Sequence, residues 1–224
     1  MALLEIKDLC YSYEDGDNRK VIYNGASADF EPERFYAVTG ESGSGKTTLL
    51  YIIAGLEKGY EGEILFKGKK IEEIGLTDYR RNHVSMIYQN FNLIPYLSPV
   101  ENIEVALDIT GNTVNRDRDH IIRLLAHLGI DERAAGRKAS LLSGGEQQRV
   151  AIARAVAVGS ELIIADEPTG NLDAHTAEQV IELFKDLAHR EGKCVIMVTH
   201  NERFAAIADE WFYIDQEDKK IKLH

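Results

Sequence analysis

The run Gly40-Glu41-Ser42-Gly43-Ser44-Gly45-Lys46-Thr47 carries the plainest chemistry in this chain. It fits the phosphate-loop spacing G-x-x-x-x-G-K-[ST]. Its glycines let the backbone curl until successive N–H groups face one centre. Lys46 adds a mobile positive charge for β- and γ-phosphates, and the Thr47 hydroxyl suits a magnesium shell. A second cluster, Asp166-Glu167, ends the apolar run Leu162-Ile163-Ile164-Ala165. A carboxylate at a strand tip, here Asp166, is where a phosphate-loop enzyme holds magnesium. Glu167 follows where side-chain alternation lapses, placed to act as general base on a water in line with the γ-phosphate. Taken alone, the two acids would read as a solvated pair before Pro168. The third cluster is Leu142-Ser143-Gly144-Gly145-Glu146-Gln147. Ser143 and Glu146 have capping-box spacing, which marks a helix start. Gly144 and Gly145 leave that start open, so its amides can face an anion. One nucleotide rarely needs two helix N-termini from distant segments of a protomer, and local physics does not say whose phosphate this surface would touch.

These groups need a scaffold that holds them together. Phe35 to Thr39 reads as an apolar strand and Thr48 to Ala54 as a helix, the strand–loop–helix setting a phosphate loop requires. Leu4 to Ser12 alternates as a half-buried strand, Glu14 to Asn18 is a turn cluster, and Val21 to Phe30 reads as another strand. Glutamate, isoleucine and leucine between the glycine turns Gly59 to Gly68 suggest one more. Strands on both sides of the loop helix predict a small antiparallel layer beside a parallel core. Asn115 to Leu128 places Ile121, Leu124, Leu125 and Leu128 on one helical face. Leu93 to Leu107 is mixed, with Pro95 and Pro99 expected to limit regular structure. Farther on, Glu161 to Ala165 and Cys194 to Thr199 read as buried strands around an amphipathic helix, Ala177 to Arg190. Such apolar runs suit a parallel sheet covered on both faces.

The 224 residues carry a formal net charge of −11 and a pI of about 5.1. That balance argues against a broad nucleic-acid footprint. Cys10 and Cys194 stand in unrelated contexts, as packed, reduced thiols of a cytosolic protein would. The N-terminus lacks a signal-peptide pattern. No apolar run approaches the roughly 18 residues of a membrane span; Val150 to Val158 comes nearest and is interrupted by Arg154.

Taken together, the motifs resemble the ATP-binding subunit of ABC transporters over essentially the whole chain, and Leu142 to Gln147 matches that family's signature. The resemblance implies an α/β phosphate-loop NTPase fold with a mainly parallel core sheet, an antiparallel β layer and a helical subdomain. It divides the single domain into a catalytic core, residues 1–88 and 156–224, and a signature-bearing helical part, residues 89–155. It also implies that the signature of one protomer (Ser143, Gly144, Gly145) closes over ATP held by the phosphate loop of the other, so that two ATP molecules are sandwiched in a homodimer. Gln89 resembles the glutamine that touches magnesium and the attacking water. His200 resembles the switch histidine at the γ-phosphate. Asn171-Leu172-Asp173 resembles the loop that joins the two sites, with Asp173 a nucleotide-side residue. Tyr13 stands where the family stacks an aromatic on adenine, though Tyr11 lies close enough to compete. Gly40, Ser42, Gly43, Ser44, Gly45, Lys46, Thr47 and Thr48 are the phosphate-binding set; Thr47, Gln89 and Asp166 are the magnesium set; Glu167, His200 and Gln89 are the catalytic set. Two positions depart from the related subfamily: Glu41 replaces a usual proline, and Thr47 replaces the commoner serine.

Asn90-Phe91-Asn92-Leu93-Ile94-Pro95 and Glu167 to Asp173 resemble the branch of lipoprotein-release, macrolide-export, peptide-antibiotic-resistance and cell-division ATPases. That branch implies an ATPase at the cytoplasmic face of the membrane, held there by a permease with a large extracytoplasmic domain. A partner helix would dock near Gln89 to Pro99. The alternatives are a cell-division regulator that signals without transport, and a soluble ABC ATPase of DNA repair or translation. The latter is disfavoured by the negative charge and the single cassette.

Overall fold

The structure is a computed structural model describing residues 1–16, 18–111 and 117–224. The chain opens on a long hairpin, β1 (Leu4–Asp15) and β2 (Asn18–Phe30), followed by β3 (Arg34–Gly40) and α1 (Lys46–Ile53). Next come β4 (Glu61–Phe66), β5 (Lys69–Lys70), α2 (Ile71–Ile74), α3 (Leu76–Asn82) and β6 (Val84–Ile87). A helical stretch follows: α4 (Pro99–Thr110), α5 (Arg118–His127), α6 (Glu132–Ala135), a 3-10 turn at Ala139–Leu141, and α7 (Gly144–Val158). The chain then alternates through β7 (Leu162–Asp166), α8 (Ala174–His189), β8 (Cys194–Val198) and α9 (Glu202–Ala205) to the hairpin β9 (Glu210–Asp215) and β10 (Lys220–Leu223).

Two sheets result. One is antiparallel, in the order β2-β1-β4-β5; the other runs β10-β9-β3-β8-β7-β6. In the second, β3, β6, β7, β8 and β9 pair parallel, and only β10 turns back. This sheet separates two cores. Tyr36, Val38, Ile164 and Ile196 face the antiparallel layer and α1, whereas Phe35, Ile163, Val195 and Met197 face α4, α5, α7 and α8. Both faces are dry, so β7 and β8 read as unbroken apolar runs rather than alternating ones.

The parallel register places the chemistry. Asp166 pairs with Val198, and Val38 pairs with the same Val198. The carboxyl ends of β3, β7 and β8 therefore stop side by side, and the loops after them emerge at one edge. Ile87, paired with Ala165, brings the segment after β6 to that edge too. Open α/β sheets bind ligands at such an edge.

Several expectations need correction. Pro99 does not limit regular structure; it opens α4 at the first helical position, where its missing N–H costs nothing. Ser98 and Glu101 close a capping box ahead of it, with Ser98 N donating to Glu101 Oε2 at 2.7 Å. The first hairpin is longer than the turn cluster implied, with ladder pairing out to Asp15 and Asn18; Asp17 lies outside the described residues. The helix expected from Asn115 starts at Arg118, capped by Asp117; Asn115 and Arg116 also lie outside the described residues. Among the described residues no helix is long and apolar enough to cross a membrane.

Candidate active site

The phosphate loop is a tight arch between β3 and α1. Gly45 precedes α1 with φ 104°, and a Cβ there would stand 2.4 Å from Ile22 Cγ2. Gly40 has φ 151°, and a Cβ would lie 2.6 Å from Ser44 Oγ. Glycine is thus demanded at both ends by backbone conformation and by close approach. The loop is braced from β2, where buried Tyr23 donates its hydroxyl to Gly45 O at 2.9 Å. Ser44 Oγ is buried without a partner. A buried hydroxyl without a partner has its hydrogen-bonding capacity left over for a ligand.

Lys46 is 6% exposed and folds back on the arch, donating to Gly40 O (2.9 Å) and Glu41 O (2.8 Å). Burial holds its ammonium below the usual lysine range, an effect partly offset by the charges of Glu167 and Asp166. Thr47 Oγ1 donates to Asp166 Oδ1 at 3.3 Å. Asp166 is 4% exposed, and burial pushes its carboxyl above the ordinary range. Glu167 carries a left-handed backbone, φ 46°, unusual outside glycine. Two hydrogen bonds pin it: Glu167 N donates to Val198 O, and Gly170 N donates to Glu167 O, each 3.1 Å. Its carboxylate receives His200 Nε2 at 2.7 Å on one oxygen and Gln89 Nε2 at 3.3 Å on the other.

Tyr13, Ser42, Gly43, Gly45, Lys46, Thr47, Thr48, Glu167 and His200 line one open pocket of about 260 Å³. Gln89 and Asp166 join it through their bonds to Glu167 and Thr47. Tyr11 is the other candidate aromatic, and a bulge in the hairpin separates its surroundings from those of Tyr13. Tyr11 borders a different cavity with Cys10 and Arg19. Sequence reading missed Lys20 and Ile22, which also line the phosphate-loop pocket; the Lys20 ammonium stands 5.9 Å from the Tyr13 ring centre. Their signal was the cross-strand pair Tyr13–Lys20, which depends on hairpin register.

Ser143, Gly144, Gly145 and Asp173 are not in this pocket. Ser143 caps α7 in a closed box with Glu146, and Asp173 caps α8 through Thr176 N (3.0 Å) and the Thr176 hydroxyl (2.6 Å). The hydrogen bonds from Thr176 draw the Asp173 carboxyl below its usual range. The two caps lie close together, since a methyl at Gly145 would meet Leu172 Cδ2 at 3.6 Å and Asn171 O at 3.8 Å.

The family model for the ABC transporter matches residues 23–170, from within β2 through the loop after β7. The chain belongs to the ABC transporter family, as an ATP-binding cassette. It is 42% identical to an uncharacterized ABC transporter ATP-binding protein, YclH of Bacillus subtilis, over 93% of this chain and 92% of that one. It is 39% identical to the macrolide export ATP-binding/permease protein MacB of Mannheimia succiniciproducens, over 93% of this cassette but only 33% of that longer protein. Among solved structures, the cassette MJ0796 bound to ADP and Pi in a dimeric, post-hydrolysis state superposes with a TM-score of 0.90. The two are 34% identical, over 99% of this chain and 97% of the other. This ABC cassette is accordingly an ATPase.

Proposed function

We propose that this ABC cassette powers a membrane permease of the efflux or lipoprotein-export kind, through closure of two copies on two ATP molecules. The observation that carries the reading is the clasp on Glu167. A single carboxylate at the rim of the phosphate-loop pocket is held by both His200 and Gln89. A general base must be aimed and kept near the reacting water, and two holders on one carboxylate do that.

The other roles follow from placement. Lys46 leaves the carbonyls of Gly40 and Glu41 for the β- and γ-phosphates, while the amides from Ser42 to Thr48 cradle them. Glu167 takes the proton of the attacking water, and His200 stays at the γ-phosphate end. Tyr13 stacks on adenine. Thr47 and Asp166 offer a hydroxyl and a carboxylate 3.3 Å apart, hard oxygen donors of the kind Mg2+ accepts beside substrate phosphates. With Gln89 they would hold the ion, which when bound offsets phosphate negative charge. Ser143, Gly144, Gly145 and Asp173, set apart from their own pocket, serve the nucleotide of the second copy. The dimeric state of MJ0796 supports this arrangement.

In this scheme residues 1–88 and 156–224 form the catalytic core, and residues 89–155 move with the signature. A permease helix docks near Gln89 to Pro99. A cavity of about 270 Å³ bordered by Leu56, Arg80, Tyr88, Asn92 and Arg154 lies beside that segment. Arg154 ties α7 to it by donating to the carbonyls of Phe91 and Asn92. Nucleotide state and partner shape are then linked through differential contacts. The permease, with a large extracytoplasmic domain, would hold the cassette at the cytoplasmic face of the membrane. The likeness to MacB supports export as the direction of work.

The test is Glu167→Gln. It should bind ATP, hydrolyse it about 10²- to 10⁴-fold more slowly, and accumulate as an ATP-bound dimer by light scattering. Turnover at the parent rate would remove Glu167 as the base.

A further inference from the structure

A second cavity, about 520 Å³, adjoins the phosphate loop and shares His200 with the nucleotide pocket. Its volume is that of a ligand site. One wall is aromatic. Trp211 and Tyr213 are two apart on β9 and so project to the same face. The Trp211 indole donates to Thr39 Oγ1, and the His224 ring stacks on it, 4.1 Å between centres and 3° from parallel. The His224 amide donates to Trp211 O at 2.8 Å, which keeps this stack in register. The indole is therefore a fixed platform.

The rest of the lining includes two acids, Glu41 and Glu202. Among the described residues neither carboxylate has a basic nitrogen within 4.0 Å; the Lys46 ammonium meets the backbone carbonyl of Glu41 instead, at 2.8 Å. Glu41 borders this cavity and not the nucleotide pocket, although it belongs to the phosphate loop. Carboxylates without an ion-pair partner beside the rigid stack of Trp211 and His224 form a surface that favours positive charge through Coulomb attraction, with the aromatic edge as apolar support.

We propose that this cavity binds a slender organic cation, a guanidinium or primary ammonium group on an alkyl stem. Glu41 and Glu202 offset its charge, and Trp211 with Tyr213 packs its stem and head. Occupancy has a consequence for the neighbouring site. Glu41 puts negative charge in the loop that receives a polyphosphate, and a bound cation neutralises it. Cation and nucleotide then strengthen each other's binding by the same factor. This last step rests on the nucleotide reading above; the cation site itself does not.

Trp211 is the chain's single tryptophan, so its emission reports on this cavity. The full chain, without nucleotide and at constant ionic strength, is titrated with butylguanidinium and with its neutral isostere butylurea. A saturable change with the first and none with the second is expected. Equal responses, or a response that never saturates, would overturn the proposal. Glu202→Gln should weaken the cation about fivefold, and Tyr213→Leu should weaken it independently, with folding of each checked by circular dichroism. Unchanged affinity in both folded variants also overturns the proposal. Agmatine against N-acetylargininamide then separates a free diamine-like ligand from an arginine presented by a peptide; tighter binding of either supports the site. Repeating the titration with ATP tests the coupling alone. Cation binding without a change in ATP affinity would reject the role of Glu41 while leaving the tryptophan result intact.

Discussion

Replacing Gly45 with alanine should damage the phosphate loop by two separable routes. At φ 104° an L-residue is strained, which costs about 1–3 kcal/mol. The new Cβ would also stand 2.4 Å from Ile22 Cγ2 and 3.1 Å from Tyr23 Oη. Ile22 is 5% exposed and β-branched, so it cannot swing away freely. Overpacking of this kind costs about 1–3 kcal/mol. The sum is roughly 2–6 kcal/mol. For a chain of this size each kcal/mol lowers Tm by about 2–4 °C, so a fall of at least about 4 °C is expected in calorimetry. A double-mutant cycle separates the routes. Ile22→Ala removes the colliding methyl and leaves the backbone strain. The pair Gly45→Ala/Ile22→Ala should therefore be less destabilised than the sum of the single changes by about 1–3 kcal/mol. Strict additivity would show that the approach of β2 to the loop is not the constraint argued here. A Gly45→Ala protein with parental Tm and parental ATP affinity would refute both routes together.

Asp166→Asn should raise the Tm of the nucleotide-free protein and abolish magnesium-dependent hydrolysis, because a neutral amide is buried more cheaply than a carboxylate and still accepts from Thr47. The sign follows from the raised carboxyl. With the folded-state value above the unfolded one, the penalty is fully present above the folded value and disappears as pH falls toward the unfolded value. The advantage of Asp166→Asn should therefore shrink on acidification, and an advantage independent of pH would refute burial as the cause. Ser98→Ala removes the cap of α4 and should cost about 1 kcal/mol; thermal unfolding checks this, with the ATPase rate unchanged at saturating ATP. Lys46→Ala should mainly lose phosphate stabilisation, read as weaker ATP binding and slower hydrolysis; unchanged values for both would remove its assigned role.

The chemistry-bearing residues were legible because their spacing is local. A phosphate loop needs Gly40, Gly45, Lys46 and Thr47 within one turn of chain, and a strand tip carries Asp166 and Glu167 as neighbours. Buried strands such as Leu162–Asp166 and Cys194–Val198 were legible because a sheet covered on both faces imposes unbroken apolar runs. The start of α4 is written in Ser98, Pro99 and Glu101, where Pro99 is a first-turn residue and not a breaker. Other features had no local signature. Tyr13 and Lys20 share the pocket through hairpin register, and a bulge separates Tyr11 from them. The clasp of His200 and Gln89 on Glu167 joins the ends of β6, β7 and β8. The Trp211 platform meets Thr39, and shares a cavity with Glu41, only because β9 lies against β3. Sequence alone thus determined which groups this chain can bring to a phosphate, because covalent spacing sets them. Tertiary structure decided which carboxylate is held and by what, and which aromatic faces which cavity, because those contacts depend on strand order and register that no short window of residues contains.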